Sequence, residues 1–117
     1  MNLNSFRYAL HGLADLFRTQ PNARFHLVAS VAVVAAGFWL EISRLEWIAV
    51  VLCMALVIAL EAINTALEYL TDVVSPDYHP LAGKAKDVAA AAVLVAAVGA
   101  AVVGGLVFLP KVLTMMR

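Results

Sequence analysis

Residues 47–72 read WIAVVLCMALVIALEAINTALEYLTD. Residues 47–60 are wholly apolar, yet Glu61, Asn64, Thr65, Glu68 and Asp72 follow with no glycine or proline before Ser75-Pro76. A helix needs about 20 residues to cross the hydrocarbon of a bilayer. The apolar run alone is too short, so the helix has to continue through the carboxylates. On a helix of 3.6 residues per turn, Asn64 lies about 60° to one side of Glu61 and Glu68 about 20° to that same side. Thr65 lies about 40° to the other side and Asp72 about 20° to it. All five polar groups therefore share a stripe about 100° wide, along roughly 16 Å of helix axis. A solvated helix end would scatter its charges. Ionisable groups within a membrane helix face the protein interior or a polar cavity and mark function by default.

The rest of the chain agrees with a membrane setting. Its 117 residues are 64% hydrophobic and 14% charged, and the mean hydropathy is +0.92. Soluble domains carry about 25% charge and 45–50% apolar residues. The formal net charge is zero, so nothing suggests nucleic-acid binding. Cys53 stands alone in an apolar run and reads as a small apolar residue. No apolar stretch followed by a small-residue cleavage site opens the sequence, so no cleavable signal peptide is expected.

Phe6, Leu10, Leu13 and Phe17 recur at helical spacing. They predict an amphipathic helix over about 3–19, too polar to span and suited to the headgroup plane. Gln20-Pro21-Asn22 breaks it. Three membrane helices are expected, at about 24–42, 46–73 and 85–111, in an all-α, single membrane domain covering 1–117. Arg7, Arg18, Arg24, Lys84 and Lys86 fall on one side, and Arg44, Lys111 and Arg117 on the other. The excess places the N-terminus and the second loop in the cytoplasm. Trp39 and Trp47 flank the outer loop as interfacial aromatics. The third span, rich in Ala and Gly, suits close helix packing.

Carboxylates and an amide on one stripe fit either ion or proton transport or a divalent-metal site for phosphate chemistry. Magnesium takes one or two carboxylates plus substrate phosphates. A carboxylate among apolar groups holds a proton more readily, which suits a general base. The connection DYHPLAGKAKDVA, residues 77–89, adds Tyr78, His79, Lys84, Lys86 and Asp87 on the side of Asp72. Lysines are suitable phosphate partners. No Walker-type glycine loop or protein-kinase motif is present.

EAINTALEYLTD at 61–72 and GKAKDVAAAAVL at 83–94 together resemble the two blocks of the prokaryotic diacylglycerol kinase and undecaprenol kinase family. FRYALHGL at 6–13 and ISRLEW at 42–47 are also similar, the latter closer to the undecaprenol-type members. The resemblance covers nearly the whole chain. It implies a small lipid kinase of the bacterial inner membrane, with a surface helix and three transmembrane helices. It also implies a homotrimer with active sites shared between subunits, and phosphoryl transfer from ATP with Mg2+ to undecaprenol or diacylglycerol, undecaprenol being favoured. By position, Glu61 would be the general base and Glu68 a magnesium ligand. Asn64, Asp72, Asp77, Tyr78, His79, Lys86 and Asp87 would bind ATP, with Tyr8 near the same site. A second metal-binding glutamate of the family falls at Gln20, whose amide oxygen coordinates magnesium more weakly than a carboxylate. Asn22, Arg24 and His26 follow the undecaprenol-type pattern and would meet the lipid. The rival readings are a small ion- or proton-coupled transporter subunit, which leaves Lys84 and Lys86 beside Tyr78-His79 unexplained, and a non-catalytic relative, suggested by Gln20.

Overall fold

The computed structural model describes residues 2–117. Four helices follow one another: α1 (Leu3–Thr19), α2 (Pro21–Trp39), α3 (Arg44–Val74) and α4 (Pro80–Met115). Among the described residues there is no strand. Three of the helices, α2 to α4, are long and apolar enough to cross a membrane.

Local chemistry sets each boundary. Asn2 caps α1, its side chain accepting from the Ser5 amide at 2.9 Å. The break after α1 is one residue wide: Gln20 is extended, and Pro21 already opens α2. A proline in the first helical turn loses no hydrogen bond, and its fixed φ suits the helix. So α2 begins three residues before the expected Arg24, and Asn22 and Arg24 are helical. It ends at Trp39, short of the expected residue 42, because Glu41 takes a left-handed φ of 53°. Arg24 turns back and donates from one guanidinium nitrogen to the carbonyls of Phe17 at 3.1 Å and Arg18 at 2.7 Å. These are last-turn carbonyls of α1, which lack helical partners and favour a cation.

Ser43 and Glu46 start α3 with a reciprocal capping box, the Ser43 amide donating to Glu46 Oε1 at 2.8 Å and the Glu46 amide to Ser43 Oγ at 3.2 Å. The helix then runs 31 residues, about 46 Å. The hydrocarbon core is about 30 Å thick, so one end of α3 has to leave it. His79 caps α4, with Nδ1 accepting from the Leu81 amide at 3.1 Å, and Pro80 is the first helical residue. Hence α4 starts five residues earlier than the expected 85. Lys84 therefore stands on its opening turns and not in a loop, with Lys86 and Asp87 following it on the helix.

α4 packs chiefly along α3, while α1 and α2 pack against α3 from other directions. At the end where α3 starts, Ile42, Val50 and Val107 form a small core with Trp47 and Phe108 against it. Lys111 Nζ lies 3.3 Å from Glu46 Oε1 there, joining the end of α4 to the start of α3. Large apolar side chains on the outer faces, such as Val28, Leu52, Leu94 and Leu106, are exposed. That suits a surface facing lipid or further copies of the chain.

Gly37 of α2 is buried where the Trp47 ring crosses it. A Cβ there would lie 2.7 and 2.9 Å from two Trp47 ring atoms and 3.1 Å from Ile42 Cδ1. The ring also packs on Phe38, centroids 4.9 Å apart, and has little freedom to yield. Alanine gains about 1 kcal/mol in helix propensity over glycine, whereas overpacking costs about 1–3 kcal/mol. The clash therefore wins. Gly37→Ala is expected to destabilise the fold by about 1 kcal/mol, read as a lower thermal midpoint in detergent. A raised midpoint would show that Trp47 moves freely.

Candidate functional site

The polar stripe of α3 forms as its spacing requires, and its burial is graded. Glu61 and Thr65 are each only 4% exposed. Asn64 and Glu68, farther along, are half-buried, and Asp72 is exposed. The stripe thus passes from the interior of the bundle to its surface within a few helical turns.

Each carboxylate has its own partner. His26 of α2 brings Nε2 to 3.5 Å from Glu61 Oε1. Asn64 Nδ2 donates to Glu68 Oε1 at 2.8 Å, a spacing of four residues on one helical face. Lys86 of α4 donates to Asp72 Oδ1 at 2.5 Å. This bridge is exposed at both ends and is worth about 0–1 kcal/mol. A phosphate could therefore draw Lys86 away at small cost.

Among the described residues, two buried oxygens have no hydrogen-bond partner: Asn64 Oδ1 and Thr65 Oγ1. An unpaired buried acceptor costs about 1–3 kcal/mol. Asn64 spends its amide nitrogen on Glu68 and leaves its carbonyl oxygen free beside that carboxylate. Hard oxygen donors of this kind suit magnesium, so Glu68 and Asn64 fit the ion expected from sequence. Among the described residues, no group of three His, Cys, Asp or Glu side chains converges to hold a metal within one chain. Gln20 sits between α1 and α2, its Nε2 donating to Thr19 Oγ1 at 3.2 Å.

The remaining expected residues divide between a cleft and its surroundings. A cleft of about 180 Å³ at the α3–α4 turn is lined by Asp72, Asp77, Tyr78, His79 and Lys86, among others. Lys84 and Asp87 are exposed and lie outside that lining. Tyr8 and Asn22, exposed on α1 and α2, are likewise not part of that lining. A second, larger groove of about 340 Å³ runs between α2, α3 and α4, from Phe25 and His26 past Val57 to Gly104. Apart from His26 and Ser30 it is lined by apolar residues.

One polar cluster was not legible in the sequence. Tyr69 donates to Asp15 Oδ2 at 2.7 Å, and Thr19 Oγ1 lies 3.3 Å from the same phenol oxygen. These contacts bind α1 to α3 and hold the α1–α2 junction, which carries Gln20, at the level of Tyr69 and its neighbour Glu68. Tyr69 lies about 80° around the helix from Glu61, off the carboxylate stripe, and Asp15 reads as an ordinary surface charge. Only their long-range pairing gives them meaning. The contact between His26 and Glu61 was missed for the same reason.

Residues 7–108 match the prokaryotic diacylglycerol kinase family. The chain is 43% identical over 107 residues to the undecaprenol kinase of Bacillus subtilis, covering 92% of this chain and 87% of that protein. It is 45% identical over 115 residues to a diacylglycerol kinase of Synechocystis, covering 97% of this chain and 66% of that protein. The diacylglycerol kinase of Escherichia coli is 30% identical over 95 residues, covering 81% of this chain and 78% of its own. With helices long enough to span the bilayer and a graded carboxylate stripe on α3, the chain belongs to the prokaryotic diacylglycerol kinase family.

Proposed function

We propose that this chain, a membrane lipid kinase by family, transfers the γ-phosphate of ATP to the hydroxyl of a lipid alcohol, undecaprenol being favoured over diacylglycerol. The observation that carries the reading is the gradient along α3, from buried Glu61 to exposed Asp72. One substrate is dissolved in lipid and the other in water, and the stripe connects the two phases. The lipid chain would lie in the apolar groove that starts at Phe25 and His26, with Asn22 and Arg24 at the headgroup level. ATP would take the cleft of Asp72, Asp77, Tyr78, His79 and Lys86, with Asp87 and Tyr8 nearby.

Glu61 accepts the proton of the lipid hydroxyl as its oxygen attacks the γ-phosphorus. Lys86 exchanges Asp72 for phosphate. Catalysis of this kind consists mainly of positioning and charge neutralisation. Mg2+ would be held by Glu68 and Asn64, with Gln20 as a weaker ligand, and when bound it neutralises phosphate charge. The chain would work as a homotrimer with sites shared between subunits. The half-buried Asn64 and Glu68 and the wide exposed apolar faces support that assembly. α1 would lie in the headgroup plane of the bacterial inner membrane, with the N-terminus and the α3–α4 turn cytoplasmic. The larger share of lysine and arginine at the end of the α3–α4 turn, Arg7, Arg18, Arg24, Lys84 and Lys86 against Arg44, Lys111 and Arg117, supports this orientation.

Purified protein in mixed micelles, given radiolabelled ATP and magnesium, is expected to label the lipid. Undecaprenol and diacylglycerol are offered separately, and the faster acceptor names the substrate. No label in either lipid, beside an active related enzyme, would sink the reading. Cation flux through reconstituted vesicles would then favour a transporter.

A further inference from the structure

We propose that His26 is a second proton carrier of this site, receiving from Glu61 the proton that Glu61 takes from the lipid hydroxyl; the inference rests on the kinase reading above. The problem it solves is one of exit. Glu61 is 4% exposed, so a proton it accepts has no direct route to water. Unless the proton leaves, the carboxylate cannot serve a second turnover. Among the described residues, His26 is the basic side chain found within 4.0 Å of Glu61, and its side chain is 21% exposed against 5% for Glu61. The imidazole is the more exposed of the pair, and it lies two residues, about 3 Å of helix axis, from Arg24, the level proposed above for the headgroups.

The chemistry suits the position. Histidine both accepts and releases protons near neutrality. The 3.5 Å separation of Nε2 from Oε1 is longer than a formed hydrogen bond of about 3 Å. Contacts of this type tighten when the substrate complex forms. The ring also lines the apolar groove, so it borders the path of the acceptor. Phe25 meets it edge-on, centroids 5.6 Å apart.

The step balances without any further reactant. The lipid O–H bond breaks and its proton goes to Glu61, while the lipid oxygen bonds to the γ-phosphorus. The bond from that phosphorus to the bridging oxygen breaks, and ADP leaves with the electron pair. The proton then moves from Glu61 to the lone pair on His26 Nε2, and from the imidazolium to water. Accepting it requires the neutral ring to carry its hydrogen on Nδ1 beforehand.

The test compares wild type, His26→Ala, His26→Gln and Glu61→Gln as full-length protein in mixed micelles. His26→Ala is expected to lower kcat on the order of 10- to 100-fold, leaving KM for ATP unchanged, and added imidazole should restore much of the loss. His26→Gln keeps an amide donor and similar volume but carries no proton, so its kcat should fall as far. Wild-type kcat in His26→Gln, a loss confined to KM, or no recovery with imidazole in a variant that melts like wild type would each overturn the relay. If His26→Ala aggregates, the kcat of His26→Gln decides. The controls separate the two failures. An active wild type silenced by Glu61→Gln but indifferent to His26 removes only the relay, whereas an inactive wild type removes the kinase reading as well.

Discussion

Glu61→Gln is expected to lower kcat by about 10²- to 10⁴-fold while the protein stays folded. The substitution keeps the shape of the side chain and removes only its ability to take a proton. Glu61 is buried on α3, and no other carboxylate of the stripe replaces it: Glu68 is engaged with Asn64, and Asp72 with Lys86. A buried charge is costly to desolvate, so an amide at this position should leave the thermal midpoint unchanged or raise it. Loss of turnover with retained or greater stability is the pattern of a catalytic group. Steady-state rates together with thermal unfolding in detergent check it. A variant that melts earlier and loses activity in proportion would make Glu61 a structural residue instead.

Glu68→Gln is expected to raise the magnesium concentration for half-maximal rate by about 10- to 100-fold, and Gln20→Glu to lower it. Glutamine is the informative replacement because its carbonyl oxygen still accepts from Asn64 Nδ2, the contact seen at 2.8 Å. Alanine would strand that half-buried donor at a cost of about 1–3 kcal/mol and confuse stability with metal affinity. The unpartnered Asn64 Oδ1 stays in place in Glu68→Gln, so a weakened site remains to be measured. Gln20→Glu adds a carboxylate at the α1–α2 junction, which Thr19 and Tyr69 hold near the level of Glu68. Magnesium titration of the transfer rate reads both variants, and calorimetric titration with magnesium checks them without turnover. If neither variant moves the magnesium dependence, the metal is held elsewhere.

The helices were legible because their causes are local. Apolar runs of sufficient length and the spacing of Phe6, Leu10, Leu13 and Phe17 are properties of neighbours along the chain. The two largest shifts of a helix start came at prolines. Pro21 and Pro80 read as breakers, yet each opens a helix, since the first turn needs no N–H and the φ fixed by the ring is already helical. His79 completes the second case by capping α4 through Nδ1. Lys84 was thereby moved from a loop onto a helix, and of Lys84, Lys86 and Asp87 only Lys86 lines the cleft.

By itself the sequence determined that the chain enters a membrane, that α3 is one continuous helix, and that Glu61, Asn64, Thr65, Glu68 and Asp72 share its face. Hydropathy and the 3.6-residue period follow from composition and covalent geometry, without reference to any other helix. The tertiary structure decided which side chains meet that face. His26 reaches Glu61 and Tyr69 reaches Asp15 only because α2 and α1 are turned and tilted in one particular way against α3. That orientation depends on packing and on such details as Arg24 gripping the end of α1. Contacts between residues far apart in the chain have no periodic trace in the sequence, and here they supply the partner of the proposed base.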